Sequence, residues 1–116
     1  MTPNKRAVEG YLDGFRRSDR AQILSLLTDD VEWLIPGMFH VRGKDAFASH
    51  IVDDGFTGRP RITVTMMVEE GDVVVAEGSV SAPKDDGSFM DLVFCDVFEL
   101  RAGQICRLVS YLMETK

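Results

Sequence analysis

The amino-acid sequence predicts an α+β fold, in which helices near the N-terminus cover a curved antiparallel sheet and enclose an apolar pocket. Helical spacing of apolar residues is confined to the first half of the chain. After Pro60 apolar and polar residues alternate, which is typical of strands. The length of 116 residues fits one domain, and no repeat or linker-like stretch marks a boundary. We therefore expect a single domain over residues 1–116.

Two helices are predicted at the start of the chain. Thr2 followed by Pro3 is typical of an N-cap and a first helical position. An apolar stripe at helical spacing follows, formed by Val8, Tyr11, Leu12 and Phe15. Asp19 can cap a second short helix, which is expected to end at Asp29 and Asp30. Its inward residues are Ile23, Leu24 and Leu27.

A short strand over residues 31–35 is expected to stop at Pro36, and a loop with Phe39 and His40 follows. Gly43 then opens a third short helix that carries Phe47 and His50 on one side. Four strands are predicted over residues 61–69, 73–82, 89–100 and 104–114, separated by short turns. This order predicts three helices and an antiparallel meander.

The strand over residues 89–100 is apolar on both faces. Phe94 and Phe98 lie on one face, and Val93 and Val97 lie on the other. One face can pack under the helices, whereas the other needs a different cover. A second copy of the chain would supply that cover, so we expect a homodimer.

Charge and composition narrow the class of partner. The net charge is −6 and no basic stripe is visible, so nucleic acid is not expected as a partner. No apolar run approaches the roughly 18 residues of a membrane helix. The N-terminal residues lack the apolar region of a secretory signal. We expect a cytoplasmic protein that does not bind a membrane.

Neither a disulfide nor a bound metal or cofactor is expected. A turn at Ala102 and Gly103 would place Cys95 opposite about residue 109, which is too far from Cys106 for a bridge. Histidines and carboxylates do not fall at metal-ligand spacing. A glycine-rich phosphate loop is likewise absent from the sequence.

The order of elements resembles the nuclear transport factor 2-like superfamily, which includes ketosteroid isomerase, limonene epoxide hydrolase and the SnoaL-like polyketide cyclases. The resemblance covers essentially the whole chain. It is carried by LTDDVEWLIPG at residues 27–37, RGKDAF at 42–47, DVFEL at 96–100 and GQI at 103–105. It implies a cone-shaped, strongly curved antiparallel sheet with three N-terminal helices that enclose an apolar pocket for a small hydrophobic molecule.

The resemblance also implies catalytic residues. It places Tyr11 and Asp96 at the tyrosine and the acid that form the oxyanion hole of ketosteroid isomerase. Phe94 and Phe98 share a strand face with Asp96, so desolvation should raise the pKa of this carboxyl. A neutral acid can then donate a hydrogen bond to a developing oxyanion, for which ketosteroid isomerase itself is the known example.

Three positions depart from the relatives' catalytic patterns. The general base of the isomerase falls on Ile35. The final acid of the epoxide hydrolase falls on Ser110, and its arginine falls near Gly78. Glu77 could replace the missing base if it faces the pocket, as the resemblance suggests. Strand alternation instead leaves Glu77 in solvent, and both alternatives stay open.

The remaining wall of the pocket is expected to be largely apolar. Its predicted ligand-binding residues are Phe15, Trp33, Ile35, His50, Phe94, Phe98, Leu108 and Ser110. Three functions fit this pattern: an enzyme of isomerase, cyclase or dehydratase type that uses proton transfer, a non-catalytic binding protein, and a structural dimer whose interior is filled by its own side chains. Tyr11, Asp96 and Glu77 would carry the catalysis.

Overall fold

The computed structural model describes residues 1–51, 60–84 and 86–115. Within these ranges three helices and six strands form an α+β fold, as predicted. In chain order they are α1 (Pro3–Arg16), α2 (Arg20–Ser25), β1 (Leu27–Ile35), β2 (Phe39–Arg42), α3 (Lys44–Ser49), β3 (Arg61–Glu70), β4 (Val73–Pro83), β5 (Phe89–Arg101) and β6 (Gln104–Glu114).

The first two helices begin at the predicted caps. The Thr2 hydroxyl accepts a hydrogen bond from the Lys5 amide at 3.1 Å, and the Asp19 carboxylate accepts one from the Gln22 amide at 3.0 Å. The prediction that α2 continues to the aspartate pair is wrong, because the chain enters β1 at Leu27. There the carbonyl of the preceding residue accepts a hydrogen bond from the Ile105 amide at 2.8 Å, which ties this segment to β6.

The six strands form one curled, unclosed sheet in the order β2-β1-β6-β5-β4-β3. The prediction of a wholly antiparallel sheet needs correction, because β1 and β6 run parallel while all other neighbours are antiparallel. The predicted loop at Phe39 and His40 is also wrong. Gly37 has a φ of +84°, which permits a tight turn that folds these two residues back beside β1 as β2.

The register of the last three strands determines which side chains reach the concave face, on which the helices pack. Ala76, Asp96 and Ser110 stand side by side in one row, and all three are buried. Alternate rows point to the convex face. On that face Cys95 lies opposite Tyr111, two residues beyond the predicted partner: the turn pairs Arg101 with Gln104, which shifts the register by one residue, and a bulge at Glu99 and Leu100 shifts it by one more.

Gly78 in β4 is required by a bulge in β3. The register between the two strands shifts between Val64 and Met66, and the strand backbone bends over the glycine. A Cβ atom at residue 78 would lie 2.0 Å from the Thr63 carbonyl oxygen and 2.9 Å from a ring carbon of Phe94. The glycine therefore allows both the bulge and the placement of the Phe94 ring on the concave face.

We predict that Gly78→Ala destabilises the protein by more than about 3 kcal/mol, because a backbone carbonyl cannot move away from the new methyl group. Gly10→Ala is the control, since its Cβ would meet only the flexible end of Leu26 at 3.1 Å. That control should stay within about 1 kcal/mol of the parent in urea unfolding, since alanine also favours the helix. Equal stability of the two variants would contradict the assigned role of Gly78.

Candidate functional site

An aromatic cluster joins α1 to the concave face of the sheet. The ring of Tyr11 makes edge contacts with Phe15 and Phe98, at centroid distances of 5.1 Å and 5.5 Å. Trp33 of β1 stacks on Phe47 of α3 at 4.2 Å. These contacts hold Tyr11 over the middle of the sheet and pack the interior closely on this side.

Asp96 lies in the middle of β5 on the same face. It is 7% exposed, and its Oδ1 atom is buried without a hydrogen-bond partner. Desolvation by burial raises the pKa of this carboxyl from 3.8 to about 7, while hydrogen bonding with the Ser110 side chain opposes that rise. A carboxyl with this pKa is present in both protonation states at neutral pH.

The Tyr11 hydroxyl belongs to the same site. Burial raises the pKa of Tyr11 well above its usual range of about 10, and the negative charge of Asp96 adds to this rise. The phenol therefore stays protonated and can donate a hydrogen bond. Tyr11 and Asp96, the two residues that the resemblance assigns to an oxyanion hole, are therefore close enough to interact electrostatically.

Near Asp96 the structure shows a hydrogen bond between Trp33 and Ser110 that the sequence did not predict. The indole Nε1 of Trp33 donates a buried hydrogen bond to the Ser110 hydroxyl oxygen at 3.2 Å. Ser110 in turn stands opposite Asp96 across the β5–β6 pair. No local signal could have linked Trp33 to Ser110, because their contact depends on the parallel pairing of β1 with β6.

Of the two orientations that the sequence leaves open for Glu77, the structure shows the one that faces solvent, which corrects the alternative in which Glu77 faces the pocket as a catalytic residue. It is exposed on the convex face, where it pairs with Cys95 and with Met66. The reason is strand periodicity: Ala76 occupies the concave position, and its immediate neighbour must point the other way. The alternation of apolar residues in β4 had indicated this orientation.

His50 lies at the edge of the helical layer. It is exposed at the C-cap of α3, and its Nδ1 atom lies 3.0 Å from the Ala46 carbonyl oxygen. Its ring approaches Phe39 at a centroid distance of 4.3 Å. His50 is therefore held by its own helix, and nothing in these contacts brings it to Asp96.

The other predicted wall residues belong to the interior. Ile35, Phe94, Phe98 and Leu108 are buried in one hydrophobic core, and the half-buried Phe15 packs against it. Two surface depressions, of about 390 Å³ and 420 Å³, lie elsewhere. The first is bordered by Arg61 and Asp91, and the second contains Glu77, Cys95 and Tyr111. Neither depression includes Tyr11 or Asp96, which lie among the packed side chains of the interior.

Two further structural findings concern ligands and membranes. In the described ranges, no three His, Cys, Asp or Glu side chains are grouped so that they could hold a metal ion. The described helices include none that is long and apolar enough to cross a membrane.

The buried acid predicts a specific dependence of stability on pH. Because the folded state keeps a proton on Asp96 that the unfolded chain releases, the free energy of unfolding should fall as pH rises from 3.8 to about 7 and then level off. The loss is on the order of 4 kcal/mol. Asp96→Asn should lack this fall. Parallel curves for the two proteins in urea unfolding across this pH range would contradict the buried-acid assignment.

Comparison with solved structures finds the same fold in several proteins. A limonene epoxide hydrolase-like epoxide hydrolase from Mycobacterium tuberculosis is 22% identical and has a TM-score of 0.84, over 96% of this chain and 83% of that one. TerC, co-crystallised with polyporic acid, is 27% identical with a TM-score of 0.81, over 94% of this chain and 90% of that one. A candidate polyketide cyclase from Xanthomonas campestris is 28% identical with a TM-score of 0.79, over 94% and 89% of the two chains.

Two comparisons of the sequence give different results. A search of curated proteins finds no match. The SnoaL-like domain, by contrast, matches residues 8–108, which is most of the chain. The protein therefore belongs to the SnoaL-like domain family.

Proposed function

We propose that this protein is an enzyme of isomerase, cyclase or dehydratase type that acts on a small hydrophobic carbonyl compound. The observation that carries the proposal is the Asp96 carboxyl, whose Oδ1 atom is buried without a hydrogen-bond partner beside Tyr11. An unsatisfied buried polar atom is costly and calls for a physical explanation, and a catalytic role is one such explanation. A carbonyl oxygen or an enolate would supply the missing partner.

The two side chains divide the chemistry between them. The pKa of Asp96 lies at about 7, so this carboxyl can either give or take a proton at neutral pH. Tyr11 stays protonated and would donate a hydrogen bond to the oxygen on which negative charge develops. This assignment needs no contribution from Glu77, which lies on the other face of the sheet. Phe94 and Phe98 are packed in the core, so a substrate that reaches Asp96 would have to displace core side chains.

A non-catalytic binding protein is the alternative, and two observations favour it. Ile35 stands where the resemblance expects a general base, and Glu77 is turned away from Asp96. In this reading Tyr11 and Asp96 only orient a bound oxygen. TerC was co-crystallised with polyporic acid, so this compound is a reasonable first probe for either function.

We further propose that the protein acts as a homodimer in the cytoplasm and uses no metal or organic cofactor. The proposed partners are a small molecule and a second copy of the chain, and neither nucleic acid nor a membrane is proposed. The apolar patch on the convex face supports the dimer; its members are Met66, Val68, Val75, Val93, Val97, Tyr111 and Met113. Tyr111 is 52% exposed and Met113 is 69% exposed, and a two-fold axis would cover both with the same face of a second copy.

Hydrogen–deuterium exchange separates the enzyme from the binding protein. The parent should accelerate exchange of the acidic α-protons of 2-tetralone in deuterium oxide, and Asp96→Asn should abolish the acceleration because an amide cannot move a proton. Glu77→Gln is the matched control on the opposite face and should exchange like the parent. Binding of polyporic acid without any acceleration of exchange would favour the non-catalytic alternative.

The dimer is tested by placing a charge on the convex patch. Val97→Asp and Tyr111→Asp should shift sedimentation toward monomer, because an unpaired charge at the centre of an interface is costly. Met38→Asp is the control, since Met38 is 70% exposed in the β1–β2 turn and lies off the patch. Tyr111 is already exposed in the single chain, so its substitution keeps the fold intact. A parent that sediments as a concentration-independent monomer would overturn the dimer.

A further inference from the structure

The hydrogen bond between Trp33 and Ser110 restricts where the serine can donate. An indole N–H is a donor only, so the Ser110 oxygen must be the acceptor in this 3.2 Å contact. The serine hydroxyl has one hydrogen of its own, and it must point elsewhere. Both residues are buried, so water is not a ready acceptor for that hydrogen.

The strand register supplies the acceptor. Ser110 stands opposite Asp96 in the β5–β6 pair, where facing side chains lie about 4.5–5.5 Å apart at Cβ. On its other side Asp96 faces Ala76, which offers no polar atom. The titratable group above it is Tyr11 of α1, while Glu77 lies on the reverse face.

We propose that Trp33 and Ser110 are positioning residues for Asp96: the indole N–H occupies the serine oxygen, and the serine hydroxyl hydrogen is thereby directed to the Asp96 carboxyl. The inference deepens the proposed function, and its catalytic meaning rests on that function. An oxygen that accepts from Ser110 is a poor place for the proton of the neutral acid. That proton is then presented at Oδ1, the atom without a partner. The site selects ligands that offer a hydrogen-bond acceptor.

The same arrangement tunes the acid. Hydrogen bonding with Ser110 lowers the pKa of Asp96 against the larger effect of desolvation. Without it, the pKa of Asp96 would rise further above 7 and the acid would lose its balance between the two protonation states. Trp33 acts one step further away, because it keeps the serine hydroxyl from rotating to another acceptor.

The chain of hydrogen bonds from Trp33 through Ser110 to Asp96, here called the relay, can be observed at Trp33. Trp33 is the single tryptophan and gives one indole N–H signal in a proton–nitrogen NMR spectrum. In the ligand-free parent this signal should shift with pH, with a midpoint of about 7 that matches Asp96. The shift should vanish in Asp96→Asn, which leaves both histidines in place. This control matters because the His50 ring contacts Phe39, which in turn contacts Trp33.

Two serine variants decide the role of the hydroxyl. Ser110→Ala should remove the pH-dependent shift of the Trp33 signal and raise the titration midpoint of the Asp96 carboxyl. Ser110→Thr keeps a hydroxyl and should restore both. A Trp33 signal that titrates unchanged in folded Ser110→Ala would overturn the relay, since direct influence of the carboxyl would then suffice.

Failure of the relay and failure of the proposed function give different results. If exchange of 2-tetralone protons is accelerated while the Trp33 signal does not depend on Asp96, the positioning role of Trp33 and Ser110 is wrong and the proposed enzyme activity is retained. If the Trp33 signal follows Asp96 through Ser110 while neither exchange nor binding of polyporic acid depends on Asp96, the relay stands and the proposed function is wrong. If Ser110→Ala does not fold, Ser110→Cys keeps a weak donor and should give a reduced shift.

Discussion

The burial of one carboxyl on the concave face of the sheet is the constraint on which the rest of this site depends. Asp96 lies under α1 with an oxygen that accepts no hydrogen bond, and its charged form is therefore strongly disfavoured. Desolvation raises the pKa of this carboxyl, and hydrogen bonding with Ser110 lowers it by a smaller amount. The fold thus holds an acid whose neutral form persists up to about pH 7 near a protonated phenol, in surroundings where electrostatic interactions are strong.

The two faces of the sheet separate the buried acid from the exposed apolar patch. The concave row of Ala76, Asp96 and Ser110 meets the helices, whereas the next row of Glu77, Cys95 and Tyr111 meets the outside. A shift of one residue along β4 would exchange Ala76 and Glu77 between these rows. The bulge in β3 lies opposite Gly78 and Glu77 and brings the β3 backbone close to Gly78. The backbone geometry of β3 and the register of β4 are therefore linked. At the other end of the convex face, Arg107 pairs with Glu99 and Glu32 at 2.9 Å and 3.5 Å, which confines the apolar patch.

Sequence reasoning succeeded where the signal is local. The cap at Thr2 and the stripe through Tyr11 define α1, and the period of two defines the strands of the meander. It failed where long-range pairing decides. Nothing in the sequence of either segment indicates that β1 pairs in parallel with β6. The hydrogen bond from Trp33 to Ser110 depends on that pairing and was therefore not predictable. Glu77 is an instructive case, because strand alternation gave the correct face and the resemblance to distant relatives suggested the wrong one.

The SnoaL-like family provides the fold, while the residues on the concave face decide what this member does. The central claim is that Asp96 is a buried acid whose pKa in the folded protein lies far above its ordinary value. Carbon-detected NMR titration of the Asp96 carboxyl in the ligand-free parent tests this claim most directly. The account predicts a midpoint of about 7. A midpoint at or below the ordinary value of 3.8 would mean that the carboxyl is charged and paired, and would contradict the account.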